Sequence, residues 1–208
     1  MPKTHISQNK SSFRVRGKIA VGLGALLLCP MAQADYEAGV NAAFDGDYDT
    51  AFREFSAAAE EGLMLAQYNL GILYFTGRGV GADAEQAFRW TLAAAEQGHT
   101  AAQFNVASLF FTGEGVDRNP ERGIQWYARA ARAGHPQAAA NLAQVYEEGD
   151  GVSADLVTAH AWASYAVLNE AAEAAAIRQS VEAKLDAEEL AKARRLFAHR
   201  FKHFNGGD

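Results

Sequence analysis

The strongest constraint on this chain is a sequence repeat with a period of 36 residues. Similar stretches of small, amide and apolar residues begin at Ala66, Ala102 and Ala138. Other residues keep the same spacing: Gly62, Gly98 and Gly134; the glycine pairs 77/79, 113/115 and 149/151; and Trp90, Trp126 and Trp162. A fixed period of this order is typical of stacked repeats, in which each unit buries its apolar face against its neighbours. We therefore expect a solenoid, an architecture whose long concave surface favours binding of other chains over small-molecule chemistry.

Each period predicts two helices joined by a loop that contains glycine. In the first period, apolar residues at helical spacing indicate one helix from about Leu65 to Phe75 and a second from about Ala84 to Gln97. Gly98 is placed to end the second helix with a positive φ. Equivalent helix pairs are expected over 101–111 with 120–132, and over 137–147 with 156–168.

On these residues the chain resembles the Sel-1-like repeat (SLR) family, a branch of the tetratricopeptide-repeat (TPR) superfamily. The family pattern A-x-x-x-L-G-x-x-Y-x-x-G-x-G-V, followed by a helix with tryptophan, covers residues 63–169. Residues 35–62 resemble an ordinary TPR unit, whose inter-helix turn is four residues shorter than the later glycine loops. The resemblance implies an all-α fold, a right-handed α-solenoid of helix-turn-helix repeats. Ala107 and Ala143 stand where the family pattern has a tightly packed glycine, and Ala140 stands where it has an aromatic residue.

The last segment, residues 170–208, leaves the 36-residue period and lacks the loop glycines. Asp186 followed by Glu189 predicts a capping box that opens a final helix, and Leu185 and Leu190 are placed for a hydrophobic staple. Because a solenoid needs a polar end to stop further stacking, we expect this segment to form a C-terminal helical cap.

Residues 1–34 have the features of a cleavable secretory signal peptide. Five basic residues and no acidic one precede an apolar run from Ile19 to Leu28, and small residues lead up to Ala34. The run is shorter than the ~20 residues that a transmembrane helix needs. We expect cleavage after Ala34 and a periplasmic location without stable membrane insertion, and a retained leader is the alternative.

Removal of this leader changes the charge and the cysteine count. Residues 35–208 carry 14 basic and 25 acidic residues, a net charge of −11, and lack Cys29, the only cysteine of the chain. A surface of this charge repels nucleic acid and anionic lipid, so neither is an expected partner. The exported form would rely on helix packing alone, without a disulfide.

The resemblance also points to residues that could bind a partner, because the first helices of TPR pairs line the concave face. The positions that carry over are Tyr68, Asn69, Phe75, Phe104, Asn105, Phe111 and Asn141, with Tyr36 and Phe44 extending the row. Asparagine can donate and accept hydrogen bonds with a peptide backbone, and aromatic rings offer apolar contact area at low entropy cost. The same residues are family consensus that could hold the repeats together, and both interpretations stay open. Gln144, Glu147 and Glu148 would make the other end of such a groove acidic.

No residue pattern after the leader indicates a catalytic, cofactor or metal site. We interpret the three in-phase tryptophans as core residues. The loop 77–81 lacks the preceding strand and the glycine spacing of a nucleotide-binding loop. His199 and His203 could share a face of the last helix, and His160 could add a third ligand, but nothing in the sequence brings them together. We interpret the histidine pair as part of a solvated surface.

The resemblance therefore implies a non-enzymatic periplasmic adaptor or regulator that captures a protein or peptide partner in the cell envelope. Family relatives include regulators of envelope signalling and of exopolysaccharide production. A periplasmic component of a sodium-driven flagellar motor is the alternative, since it too is a short exported repeat chain. A hydrolase like the β-lactamase-like subgroup is disfavoured, because that subgroup is rich in cysteine and residues 35–208 contain none.

Overall fold

A computed structural model of the protein describes residues 30–201, and all of its regular secondary structure within that range is α-helical. The predicted all-α repeat fold is confirmed. The ten helices are α1 (Pro30–Asp45), α2 (Tyr48–Glu60), α3 (Met64–Thr76), α4 (Ala84–Glu96), α5 (Thr100–Thr112), α6 (Pro120–Arg132), α7 (Pro136–Glu148), α8 (Leu156–Leu168), α9 (Ala174–Glu182) and α10 (Ala187–Phe201). None of these helices is long and apolar enough to cross a membrane.

The helices stack in sequence order, as the repeat pattern predicts. Helices α1 and α2, α3 and α4, α5 and α6, and α7 and α8 pack against each other as pairs, and the second helix of each pair packs on the first helix of the next. Small residues at the crossings are fully buried, among them Ala66, Ala102 and Ala138, so neighbouring backbones approach closely. Larger apolar side chains such as Phe110 and Trp162 fill the space between the pairs.

The ends of the helices follow the same period. Each second helix begins after Asp47, Asp83, Asn119 or Asp155, whose side chain accepts a hydrogen bond from the backbone N–H three residues later. Such a cap stabilises a helix by about 1 kcal/mol. The first helices α3, α5 and α7 end at Gly77, Gly113 and Gly149, all in the left-handed conformation that glycine adopts without strain.

The second glycine of each loop lies against the preceding repeat. A Cβ atom on Gly79 would overlap the Tyr48 carbonyl at the start of α2, and one on Gly115 would overlap the Ala84 carbonyl at the start of α4. Gly151 lies against Pro120 at the start of α6 in the same way. Each loop therefore needs glycine for close approach as well as for its positive φ.

The segment after the repeats forms two helices, α9 and α10, of which the sequence predicted the final one. The predicted capping box is confirmed: the Asp186 carboxylate accepts from the Glu189 N–H at 2.8 Å, and the Glu189 carboxylate accepts from the Asp186 N–H at 3.0 Å. Helix α10 packs on α8, where the ring of Phe201 lies 4.3 Å from that of Tyr165 and 5.1 Å from that of Trp162. The cap thus covers the tryptophan of the last repeat.

The core interpretation of the tryptophans holds in the last two repeats. Trp126 is 6% exposed and Trp162 is 2% exposed. Trp90 is only half-buried, because it packs at the edge of a smaller cluster formed by α2 and α3. Most of the predicted leader, including Cys29, lies outside the described residues, as does His203. Helix α1 begins at Pro30 and continues past Ala34, and cleavage there stays a prediction.

Candidate functional site

The first helices of the repeats line a surface with two adjoining depressions that share Ile72. The N-terminal depression has a volume of about 340 Å³ and lies beside α1, α2 and α3; it is lined by Val40, Ala43, Tyr48, Phe55, Asn69, Ile72, Leu73 and Arg78. The α3–α5 pocket has a volume of about 320 Å³; it is lined by Gly71, Ile72, Phe75, Ala87, Thr91, Asn105, Ser108, Leu109, Thr112 and Glu114. Both depressions combine apolar side chains with a few amide, hydroxyl and charged groups.

Large apolar side chains are exposed along these depressions. Phe75 is 53% exposed, and its neighbour one helical turn earlier, Ile72, is 37% exposed. On the adjacent first helix α1, Val40 is exposed as well and lines the N-terminal depression. Phe44 on the same helix is exposed outside both depressions. Single exposed apolar residues are ordinary, but several beside one cavity are typical of an interaction site.

The shape of the surface depends on one position that recurs every 36 residues on the second helices. This position is occupied by Phe55 in α2, Thr91 in α4, Tyr127 in α6 and Ala163 in α8. Phe55 and Tyr127 are aromatic and buried, so their rings occupy the space between neighbouring first helices. Thr91 is also buried but has a much smaller side chain, and it lines the floor of the α3–α5 pocket.

Tyr127 shows how an aromatic residue fills this position. Its ring lies 5.3 Å from the ring of Phe104 and 5.5 Å from that of Phe111. Its hydroxyl accepts a hydrogen bond from Asn141 Nδ2 at 3.0 Å and lies 2.8 Å from Ser108 Oγ. Tyr127 therefore joins α5, α6 and α7 through one buried side chain.

The predicted partner-binding residues consequently divide into two groups. Phe104, Phe111 and Asn141 contact Tyr127, so in this structure they pack one repeat against the next. Phe75 and Asn105 are the in-phase counterparts of Phe111 and Asn141, and both line the open α3–α5 pocket.

The two remaining predicted residues also differ in their surroundings. Asn69 lines the N-terminal depression. Tyr68 is half-buried, and its ring lies 4.2 Å from the ring of His99. A binding role for all seven residues stays a prediction.

Sequence reasoning missed several residues of the pocket, chiefly Thr91, Leu109 and Glu114. The available signal was a break in the period: position 91 carries threonine where the units on either side carry Phe55 and Tyr127. A smaller residue than its in-phase counterparts at a buried position leaves a cavity, and the repeat consensus does not show where such a cavity lies.

The acidic end predicted for the groove is partly neutralised. The Glu147 side chain is 13% exposed, and its carboxylate accepts from Lys184 Nζ at 2.8 Å and from Ser180 Oγ at 2.9 Å. Glu147 is therefore engaged with the C-terminal cap, whereas Glu148 on the same helix is exposed.

Two histidines lie at repeat boundaries and pack against aromatic rings. The His135 ring is stacked on that of Phe104, with centroids 4.2 Å apart and an interplanar angle of 8°. The Nδ1 atom of His99 accepts a hydrogen bond from the Ala102 N–H at 3.1 Å, which caps α5. Burial lowers the pKa of both histidines, because the protonated ring is disfavoured away from water.

The third histidine considered as a ligand joins the last repeat to the cap. His160 is 3% exposed, and its Nε2 lies 2.9 Å from Glu182 Oε1, while its Nδ1 lies 3.5 Å from Ser164 Oγ. The hydrogen bond to His160 lowers the pKa of the Glu182 carboxyl. Within residues 30–201, no three His, Cys, Asp or Glu side chains come close enough to form a metal site. His199 is exposed on α10.

Comparison with known families settles the origin of the repeats. The Sel1 repeat profile matches residues 65–99, 100–135 and 136–169. The chain belongs to the Sel1 repeat family. Sel1 repeat proteins generally mediate protein–protein interaction and are typically non-catalytic. A search of curated protein sequences finds no match.

Solved structures agree with this assignment. A protective antigen of uropathogenic Escherichia coli strains, which displays an SLR fold, is similar with a TM-score of 0.69 and 29% identity over 82% of this chain. The match covers only 38% of the antigen, so this Sel1 chain corresponds to less than half of it. A Sel1 repeat protein from Oxalobacter formigenes is similar with a TM-score of 0.65 and 30% identity, over 79% of this chain and 71% of its own. MamA, at 15% identity and a TM-score of 0.50 over 86% of this chain and 97% of its own, shares the fold alone.

Proposed function

We propose that this Sel1 chain is a non-enzymatic periplasmic adaptor or regulator, and that it binds a protein or peptide partner along its first helices. The observation that carries the proposal is the open α3–α5 pocket, beside which Ile72 and Phe75 are exposed. An adaptor needs apolar anchor sites next to polar groups that set orientation. Asn105 and Glu114 supply such groups at this pocket.

The proposed location rests on the leader pattern of residues 1–34. Its test is fractionation of cells that express the full chain with a C-terminal tag, followed by N-terminal sequencing of the soluble periplasmic form. We expect a mature chain that starts at Asp35. Recovery of the full-length chain in the cytoplasmic fraction would contradict the periplasmic assignment.

The binding proposal is tested by site-specific photo-crosslinking in intact cells. A photoreactive phenylalanine derivative replaces Phe75 at the pocket in one strain, and in the control strain it replaces Gln125, which is exposed on the second helix α6. We expect one discrete crosslinked product from position 75 and none from position 125. Equal crosslinking from both positions, or none from either, would contradict partner binding at this surface.

Identification of the crosslinked partner also separates the adaptor from the flagellar-motor alternative. An envelope signalling or polysaccharide-synthesis protein would support the adaptor. A flagellar motor protein, together with loss of swimming on deletion of this chain, would support the motor component instead.

A further inference from the structure

The α3–α5 pocket occupies the place that an aromatic side chain fills in both neighbouring units. Phe55 occupies it between α1 and α3, next to the N-terminal depression, and Tyr127 occupies it between α5 and α7, whereas Thr91 leaves it open between α3 and α5. The molecule therefore contains its own example of what fits such a site. That example is a ring inserted between two first helices.

Most walls of the pocket correspond by position to the surroundings of Tyr127, except that Ile72 stands in phase with Ser108. Phe75 is the in-phase counterpart of Phe111, whose ring stacks on Tyr127 with an interplanar angle of 25°. Phe75 lacks that partner and is 53% exposed. An aromatic side chain placed in the pocket would cover Phe75 as Tyr127 covers Phe111.

The polar group at the end of the pocket also has its counterpart. Asn105 is in phase with Asn141, whose side-chain amide donates to the Tyr127 hydroxyl. Among residues 30–201, the Asn105 side chain makes no hydrogen bond, although it lines the pocket. It is thus placed to donate to a phenolic hydroxyl, which a phenylalanine ring would not offer.

A negative charge lies at the rim. Glu114 lines the pocket, is exposed, and forms no ion pair within the part of the chain that the structure describes. The chain as a whole has a net charge of −6. A partner segment with lysine or arginine close to the inserted ring would be electrostatically complementary.

We propose that the α3–α5 pocket receives a tyrosine side chain from a partner polypeptide, with a basic residue of the same segment paired to Glu114. The tyrosine takes the place that Tyr127 occupies in the next unit, with its ring against Phe75 and its hydroxyl at Asn105. This inference rests on the proposed binding function and names the chemistry that the pocket recognises.

The test begins with selection of peptides from a random displayed library on the purified full chain. We expect enrichment of tyrosine with lysine or arginine within a few positions. The affinity of selected peptides is then measured by fluorescence anisotropy, together with versions in which tyrosine is replaced by phenylalanine or alanine. The alanine version should bind about 30-fold more weakly, as for an interface hot spot.

Two substitutions in the protein test the pocket itself. Thr91→Tyr supplies the missing ring from within the chain and should abolish peptide binding, while the matched control Thr91→Val leaves the pocket open and should retain it. Circular dichroism and thermal melting check that both variants fold. Peptides that bind Thr91→Tyr as tightly as the parent protein would overturn the inference.

Asn105→Ala gives an independent readout if Thr91→Tyr does not fold. Loss of one neutral hydrogen bond should weaken the tyrosine peptide about 3- to 10-fold and leave the phenylalanine version unchanged. Equal effects on both peptides would contradict hydroxyl recognition. Selected peptides that lack tyrosine, yet compete with crosslinking at position 75, would refute tyrosine recognition by the pocket. They would still support partner binding at this surface. Failure to select any peptide, with no crosslink at position 75, would refute the binding function as well.

Discussion

Replacement of Tyr127 by threonine would place between α5 and α7 the same residue type that Thr91 supplies between α3 and α5. Tyr127 is 5% exposed, and its ring lies between those of Phe104 and Phe111. Its removal should therefore leave a cavity between α5 and α7 and separate two repeats that now share one side chain. We expect Tyr127→Thr to destabilise the protein strongly.

The size of the effect can be worked out from these contacts. Truncation of a buried aromatic residue to alanine costs about 3–5 kcal/mol, and threonine restores only a small part of the lost volume. Loss of the hydroxyl leaves Ser108 and Asn141 without their shared partner, at about 1 kcal/mol. Together these effects lower the free energy of unfolding by about 4–6 kcal/mol, which is a large share of the about 5–15 kcal/mol of a typical domain.

The assay is a urea titration followed by far-UV circular dichroism, with Tyr127→Phe as the control. The phenylalanine variant keeps the ring and should lose about 1 kcal/mol. Because a solenoid can unfold in parts, the slope of the free energy against urea must be compared as well, and a lower slope would mean that repeats unfold separately. A loss of less than about 1 kcal/mol for Tyr127→Thr, at an unchanged slope, would refute the packing role of the ring.

Three further outcomes follow from the fold. Gly115→Ala should lose about 2 kcal/mol or more in thermal or urea unfolding, because its φ is +71° and a Cβ would overlap the preceding repeat; Gly81→Ala, which has open space, should change little. Trp126→Ala should lose about 3–5 kcal/mol through a core cavity, and retained thermal stability would contradict its burial. Since burial lowers the pKa of His99 and His135, the unfolded chain takes up protons first, so stability should fall as pH drops below about 6.5. This is measured as the difference between the urea midpoints at neutral and at mildly acidic pH. The double variant His99→Gln with His135→Gln should show a smaller difference than the parent protein.

Much of the fold could be predicted because the repeat period is regular and because specific residues mark the start and the end of each helix. The helix expected from about Leu65 to Phe75 is Met64–Thr76, and the one expected from about Ala84 to Gln97 is Ala84–Glu96. Glycine at each loop and a short polar residue before each second helix determine these ends to within about one residue. Helix α9 had no such signal, since it follows Glu173, a non-glycine residue with a φ of 64°.

The candidate site was less predictable, because consensus marks positions and does not show which of them are left open. Phe75 and Phe111 look alike in the sequence, yet only Phe75 is strongly exposed. The difference arises because Tyr127 on α6 covers Phe111, whereas the smaller Thr91 on α4 leaves Phe75 open. The residue pattern of one helix does not report the side-chain volume on another helix. A comparison of in-phase residues across units, with volume as the criterion, would have pointed to Thr91.

The contact between each glycine loop and the repeat before it has a consequence for how such an array can change length. Gly79, Gly115 and Gly151 each lie on the opening turn of the previous second helix. Duplication or deletion of a whole 36-residue unit would leave each remaining loop in contact with the second helix before it. Insertion of a single residue into one loop would disturb two units at once. Related chains are therefore expected to differ in length by entire repeats.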